Sequence, residues 1–585
     1  LPPQARPARA TLLLIVLALA PLWLVGIFDR GLWTPDEPRE ADIAWRMSTQ
    51  ADRTLPQLAG TPFLEKPPLS YWMAGAAIAA FGDSASGARA PNLLYAVITA
   101  LAIGALALAM QPEALPALIA ALVAASALTA YRASIWLAPD AGLLAGCAVA
   151  LLGAWLGLRA PVGKRKAGGY ALMHLGAAVG FMAKSAPGWL VPGLALLTLI
   201  VWERRWSELR RWELYAGLVI QLLIIGPWVA AVAHSTHGSD ALTTLFWHNV
   251  VGRFTQVSST AALDYTSGHH NTPGKYLLGL PVYLLPWTLV VTAALARAWI
   301  RMREPGERGT AWRFALCSSV PLLALLSVAA TARDIYVAPV LLGLALLAGL
   351  WVEDAQRVPL RFDRLAALGT VVLVAAMAGT FALALAVLAA AGVAAPGRSA
   401  AVVLGVIVAA ALALSFALRA QRRADFARTL AWSYVAYAVA LCLAARLILP
   451  IVDRWQDLPA LAARIHSDTA QQSLALLDPD ETTIAMLDHG LATRFSVLTS
   501  GGGEAPRGAV AGWFAAHGPG ARVLVLLPGH AGGQVSELLA RIHPVAAPGD
   551  GVAGSLTAQG AASLVQRYEL PEGRRYALLG PPAAH

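Results

Sequence analysis

The chain reads as long apolar runs separated by short polar ones. Runs long enough to cross ~30 Å of hydrocarbon fall near 11–28, 89–110, 115–135, 139–158, 169–183, 186–202, 213–234, 275–297, 312–330, 335–352, 365–391, 400–418 and 428–450. This pattern predicts a polytopic α-helical membrane protein with about thirteen transmembrane helices. A further apolar run at 70–81 is too short to span and is expected as a helix lying at the membrane interface. After residue 450 the apolar runs shrink to strand length, at 482–487, 495–499, 521–527 and 576–579, with amphipathic helices expected near 457–467, 507–517 and 533–543. Such alternation predicts a small α/β domain. The expected division is a transmembrane domain over 1–450, with large loops at 29–88 and 235–274, followed by an α/β domain over 451–585.

The loop charges give the chain a direction. Lys164-Arg165-Lys166, Arg204-Arg205 with Arg210-Arg211, Arg301 with Arg303 and Arg308, Arg357 with Arg361 and Arg364, and Arg419 with Arg422-Arg423 occupy one set of alternate loops. The positive-inside rule assigns that set to the cytoplasm. Counting 70–81 as a span would break the alternation for every later loop. The remaining loops and the C-terminal domain then share the periplasmic side of a bacterial inner membrane, or its equivalent.

Composition agrees: 57% of residues are hydrophobic and 13% charged, the charged share being about half that of a soluble protein. The net charge of +10 sits in short loops between apolar runs, which is an orientation signal and not a nucleic-acid surface. Cys147, Cys317 and Cys442 all lie within apolar runs, so neither a disulfide nor a thiolate metal site is expected. The first apolar run continues into polar sequence without a small-residue cleavage site. It is expected to be a transmembrane helix and not a cleaved signal, and the missing initiator Met reads as a trimmed or processed start.

Candidate chemistry concentrates in residues 33–72, which carry the adjacent acids Asp36–Glu37 and the sequence Glu65-Lys66-Pro67-Pro68. Asp36 and Glu37 precede Pro38, so one of them suits the start of a helix. Two acids with Asp42 close behind exceed what capping needs, and a catalytic role is expected for Asp36 with Glu37. Lys66, Lys184 and Arg333 lie at the ends of apolar runs on the same side, as does Asp140. Each cation either snorkels to lipid headgroups or joins the others in an anion site. In the 235–274 loop, His269 and His270 are candidate divalent-metal ligands, for zinc, with Glu65 as an oxygen donor. Their spacing matches no metal motif.

Taken in order, W-x-x-DEPR-x-x-x-I, EKPPL-x-YW, Gly87/Arg89/Pro91, the Lys184 turn and R-D-x-Y-x-x-P from Arg333 to Pro339 resemble the lipid A aminoarabinose transferases. These belong to the GT-C superfamily that also contains protein mannosyltransferases. The resemblance implies a GT-C fold and an integral membrane glycosyltransferase that takes 4-amino-4-deoxy-L-arabinose from undecaprenyl phosphate. The implied acceptor is a lipid A phosphate, whose masking lowers the binding of polymyxin and other cationic peptides. It further implies that Asp36 takes the acidic role, that Lys66 beside Glu65 holds the donor phosphate with Arg333 and Arg253, and that Tyr336 lines the donor cavity. The 235–274 loop follows the family pattern only loosely around its histidines. A related transferase with another sugar or with a glycan or protein acceptor is the nearest alternative. A lipid flippase is the alternative from a different class, although the charged residues cluster in loops on one side and no inverted repeat is evident.

Overall fold

The computed structural model describes residues 5–236, 238–248, 271–489, 491, 493–500, 505–528 and 550–582. The chain is a multi-pass membrane protein. Among the described residues eight helices are long and apolar enough to cross a membrane, or up to ten if each of two bent pairs counts as one span. That is fewer than the thirteen apolar runs, because an apolar run need not be one straight helix. The run at 115–135 breaks into Ala114–Ser126 and Leu128–Ile135, bent by 66°, and the run at 275–297 into Lys275–Tyr283 and Thr288–Arg301, bent by 118°. Pro286 lies in the second break and has no backbone N–H to continue the helix. Pro187–Trp202 has only 16 residues.

The first span, Ala5–Ile27, leads into a loop that folds as helix Glu37–Thr49, a hairpin of β1 (Gln57–Leu58) and β2 (Thr61–Pro62), and helix Leu69–Phe81. The last of these occupies the 70–81 run and is 13 residues long. Its Gly75 lies against Ala44 and Met47 of Glu37–Thr49, with no room for a larger residue: a Cβ there would sit 2.8 Å from Ala44 O. The two loop helices therefore pack as one layer.

Helices Asp140–Arg159 and Lys164–Lys184 form an antiparallel pair joined by four residues. Their backbones touch through glycine. A Cβ on Gly153 would fall 2.1 Å from Met173 N, and one on Gly176 would fall 2.4 Å from Ala150 N. Small residues permit this approach where no hydrophobic force drives two helices together in lipid. The antiparallel pairing brings the first residue of one helix, Asp140, beside the last of the other, Lys184.

The chain leaves its last long helix, Phe426–Trp455, for a five-stranded sheet of order β4-β3-β5-β7-β6. Here β3 is Ser473–Leu477, β4 Phe495–Leu498, β5 Ala521–Leu526, β6 Ser563–Glu569 and β7 Arg575–Gly580. β3 runs parallel to β4 and β5, and β7 antiparallel to β5 and β6. The runs at 495–499, 521–527 and 576–579 are strands, but 482–487 is not. It forms helix Glu481–Asp488, because the Asp480 carboxylate accepts a hydrogen bond from Thr483 N at 2.9 Å and caps a helix start. The helix expected near 533–543 lies outside the described residues.

Gly153→Ala should force the helix pair apart, an overpacking cost of about 1–3 kcal/mol. The expected outcome is a lower unfolding temperature in detergent, measured by thermal-shift fluorescence, whereas Gly168→Ala, with open space at its Cβ position, should leave it unchanged.

Candidate active site

Asp36 stands at the start of helix Glu37–Thr49, yet its side chain makes no capping hydrogen bond. Pro38 is the second residue of the helix and has no N–H that needs a partner. The Asp36 carboxylate is thereby released for other contacts. Arg39 Nη2 donates to its Oδ1 at 3.3 Å, and Arg333 Nη1 lies 3.8 Å from the same atom.

One turn of helix carries this contact inward. Arg39 and Glu40 follow Asp36 on the same face. Arg39 Nη2 donates to Glu40 Oε1 at 2.7 Å, and Lys66 Nζ donates to that same oxygen at 2.9 Å. Glu65 lies 3.6 Å from Lys66 on the other side. Burial alone would raise the Glu40 pKa, but the Lys66 and Arg39 cations outweigh it and hold the carboxyl at about 2. Burial would likewise lower the Lys66 pKa, and Glu40 overrides it, so the ammonium titrates above its ordinary range. Both groups therefore stay charged at neutral pH. Neither Arg39 nor Glu40 was assigned a role from sequence, although their spacing from Asp36 in DEPRE is the signal of one helix face.

Lys184 pairs with Asp140, and its Nζ lies 5.1 Å from the centre of the Tyr336 ring. Tyr336 belongs to the short turn Asp334–Val337, which Arg333 precedes, so the two cations meet through one turn. The O–H of Tyr276 fixes that turn by donating to Arg333 O at 3.1 Å. The structure thus brings Asp36, Lys66, Glu65, Arg333, Tyr336, Asp140 and Lys184 to one end of the helices. Arg253, His269 and His270 lie outside the described residues. Among the described residues no three His, Cys, Asp or Glu side chains form a metal-sized group.

Glu37 does not join them. It is fully buried, and it accepts from Arg30 Nη2 at 2.8 Å, Arg89 Nη1 at 3.3 Å, Trp33 N at 2.8 Å and Leu137 N at 2.8 Å. Every acceptor direction faces the protein. Adjacent residues on a helix start point about 100° apart, so Asp36 and Glu37, alike in sequence, serve opposite sides.

Asp42 is also buried. Its Oδ2 accepts from Ala59 N at 3.0 Å, and its Oδ1 has no donor among the described residues. Desolvation, with a hydrogen bond to and repulsion from Asp488, pushes its pKa up to about 8.

Two outcomes follow for variants and pH. Glu37→Ala should strip two buried guanidinium groups of their counter-charge, a loss of about 3–5 kcal/mol, seen as a fall in unfolding temperature that Asp36→Asn does not share. For Asp42, the folded pKa of about 8 lies above the ordinary value of ~3.9. The folded protein then holds the extra proton between these limits, so this group's contribution to stability falls as pH rises from about 4 to about 8 and is level above that. Asp42→Asn should flatten the unfolding temperature across that window.

Comparisons with known proteins show similarity to membrane glycosyltransferases. Residues 65–230 fit the family described as dolichyl-phosphate-mannose-protein mannosyltransferase. An undecaprenyl phosphate-alpha-4-amino-4-deoxy-L-arabinose arabinosyl transferase of Pseudomonas aeruginosa (strain PAO1) is 31% identical over 342 residues, 58% of this chain and 59% of that protein. The corresponding protein of Serratia proteamaculans is 28% identical over 343 residues, again 58% and 59%. The aligned part therefore spans less than two thirds of these relatives. The crystal structure of ArnT from Cupriavidus metallidurans bound to undecaprenyl phosphate has the same fold, with a TM-score of 0.66 at 20% identity over 97% of each chain. Its apo state gives the same TM-score over 98% of each. The chain thus shares its fold with ArnT, and over part of its length its sequence is similar to the arabinosyl transferases.

Proposed function

We propose that the chain transfers 4-amino-4-deoxy-L-arabinose from undecaprenyl phosphate to a lipid A phosphate, on the periplasmic face of the inner membrane. The observation that carries this reading is the ionic relay from Arg333 through Asp36, Arg39 and Glu40 to Lys66. It keeps cations charged and oriented within a mostly apolar protein, an arrangement suited to an anionic ligand. The resemblance of the DEPR and EKPP motifs to those of the arabinosyl transferases supplies the chemistry.

In this reaction the bond from the sugar's anomeric carbon to the donor phosphate oxygen breaks, and a bond from that carbon to an acceptor phosphate oxygen forms. Negative charge gathers on the departing undecaprenyl phosphate. Lys66 and Arg333, already oriented by carboxylates, stabilise it without further reorganisation. The acceptor is itself an anion, so Asp36 has no proton to remove from it. Its partly open carboxylate, 23% exposed, is placed to hold the sugar amine or orient the acceptor. Tyr336 and Lys184 close the other side of the donor position, and the motif resemblance adds Arg253 as a further phosphate ligand. Of the ligands expected for zinc, the described one, Glu65, already lies beside Lys66.

The test is mass spectrometry of lipid A and survival in polymyxin, in a host that makes the donor lipid but lacks its own transferase. The full chain should add a pentosamine mass and raise survival. Asp36→Ala and Lys66→Ala, inserted at normal levels, should abolish both. Absence of the added mass with donor lipid present would exclude this sugar or this acceptor.

A further inference from the structure

The C-terminal domain is not a free appendage. Its helix Glu481–Asp488 lies along helix Glu37–Thr49, and four contacts mark the seam. Thr482 Oγ1 donates to Pro35 O at 3.0 Å, Glu481 pairs with Arg39, Ala485 packs with Ile43, Met47 and Tyr71, and Asp488 pairs with Arg46. Two of these touch the residues immediately beside Asp36.

Arg39 is the hinge of the arrangement. Its guanidinium is buried and lies 5.3 Å from the centre of the Phe63 ring. Its Nη1 faces Glu481, its Nη2 is divided between Asp36 and Glu40, and its Nε has no acceptor among the described residues. A planar guanidinium with one edge held by the C-terminal domain cannot rotate toward either loop carboxylate. Without Glu481, the carboxylates left hydrogen-bonded to it among the described residues are Asp36 and Glu40, which are the two that meet Arg333 and Lys66.

We propose that Glu481 is a positioning residue for the transfer reaction: from the C-terminal domain it fixes Arg39, and through Arg39 it sets where Asp36 and the Glu40–Lys66 pair stand. The proposal rests on the transferase reading above. It gives the C-terminal domain a task in the reaction. Burial tends to discharge Arg39, but Glu40 and Glu481 together keep it charged, which agrees with a bridge that works through charge as well as shape.

The experiment compares steady-state transfer by the full chain in detergent or proteoliposomes with that of Glu481→Ala, Glu481→Asp and Asp488→Asn, using an undecaprenyl-phosphate aminoarabinose donor and lipid A. Asp488→Asn breaks the Arg46 ion pair of the same seam and alters the contact with Asp42 without touching Arg39, and so reports on the seam apart from Arg39. Glu481→Ala should lower kcat by about tenfold, in the range expected for a misplaced reacting group, with the donor KM changed less than twofold. Glu481→Asp should recover part of the loss, and Asp488→Asn should stay near the unaltered chain at equal unfolding temperature. Unchanged kcat in Glu481→Ala would overturn the proposal while leaving the transferase reading intact. So would equal losses in Glu481→Ala and Asp488→Asn that follow the fall in unfolding temperature. No transfer by the unaltered chain would overturn the transferase reading itself, and the proposal with it.

Discussion

Taking a carboxylate out of water is costly unless every one of its acceptor directions is met. Glu37 satisfies that demand with parts drawn from far along the chain. Arg30 comes from the exit of the first span, Arg89 from the first turns of helix Ala85–Met110, and the Leu137 N–H from the turn before Asp140. Arg89 in addition donates to the Ile27 and Gly31 carbonyls at 2.9 Å each. Three segments are thereby tied at one point. The position of Asp36 follows, since it is the next residue along, and so does the register of the Asp140 turn against it. The pairing of charges at the candidate site presupposes this knot.

Much of this was legible in the sequence, for a physical reason. In a membrane protein polarity is rationed by solvation, so a dense group of ionisable residues stands out against an apolar background. The loop at 33–72 and the cations Lys66, Lys184 and Arg333 were found that way, and the structure places them at one end of the helices. Sequence could not separate Asp36 from Glu37, because neighbouring acids differ only in the direction they face once the helix start is fixed. The breaks within spans escape the sequence for a related reason. Hydropathy records where chain is excluded from water, and the broken helices near 127 and 286 are as apolar as straight ones.

The C-terminal domain shows the opposite limit. β5 and β7 were visible because buried central strands are continuously apolar. β6 lies at the sheet edge, alternates weakly and is largely exposed, so little in its composition marks it. Glu481 left no trace at all. It is a surface-type residue more than 400 positions from Arg39, and only the docking of two helices gives it meaning. Contacts made across a domain seam depend on geometry that composition does not encode.

The last long helix has a mechanical consequence. Phe426–Trp455 contains 30 residues, about 45 Å at 1.5 Å per residue, whereas the hydrocarbon layer is ~30 Å thick. Its far end is bolted to the first loop: Asp453 accepts from Gly31 N and Trp33 Nε1 at 2.8 Å, and Gln456 from Thr34 N at 2.9 Å. The helix thus serves as a ruler that fixes the height of the reactive loop above the bilayer. In a thinner or thicker membrane the loop keeps its distance from the rest of the protein, so the lipid must bend around it. Under the proposed transfer, deformation of the membrane itself would bring a lipid-linked donor and a lipid-borne acceptor to one level, with bilayer thickness as a parameter of the rate.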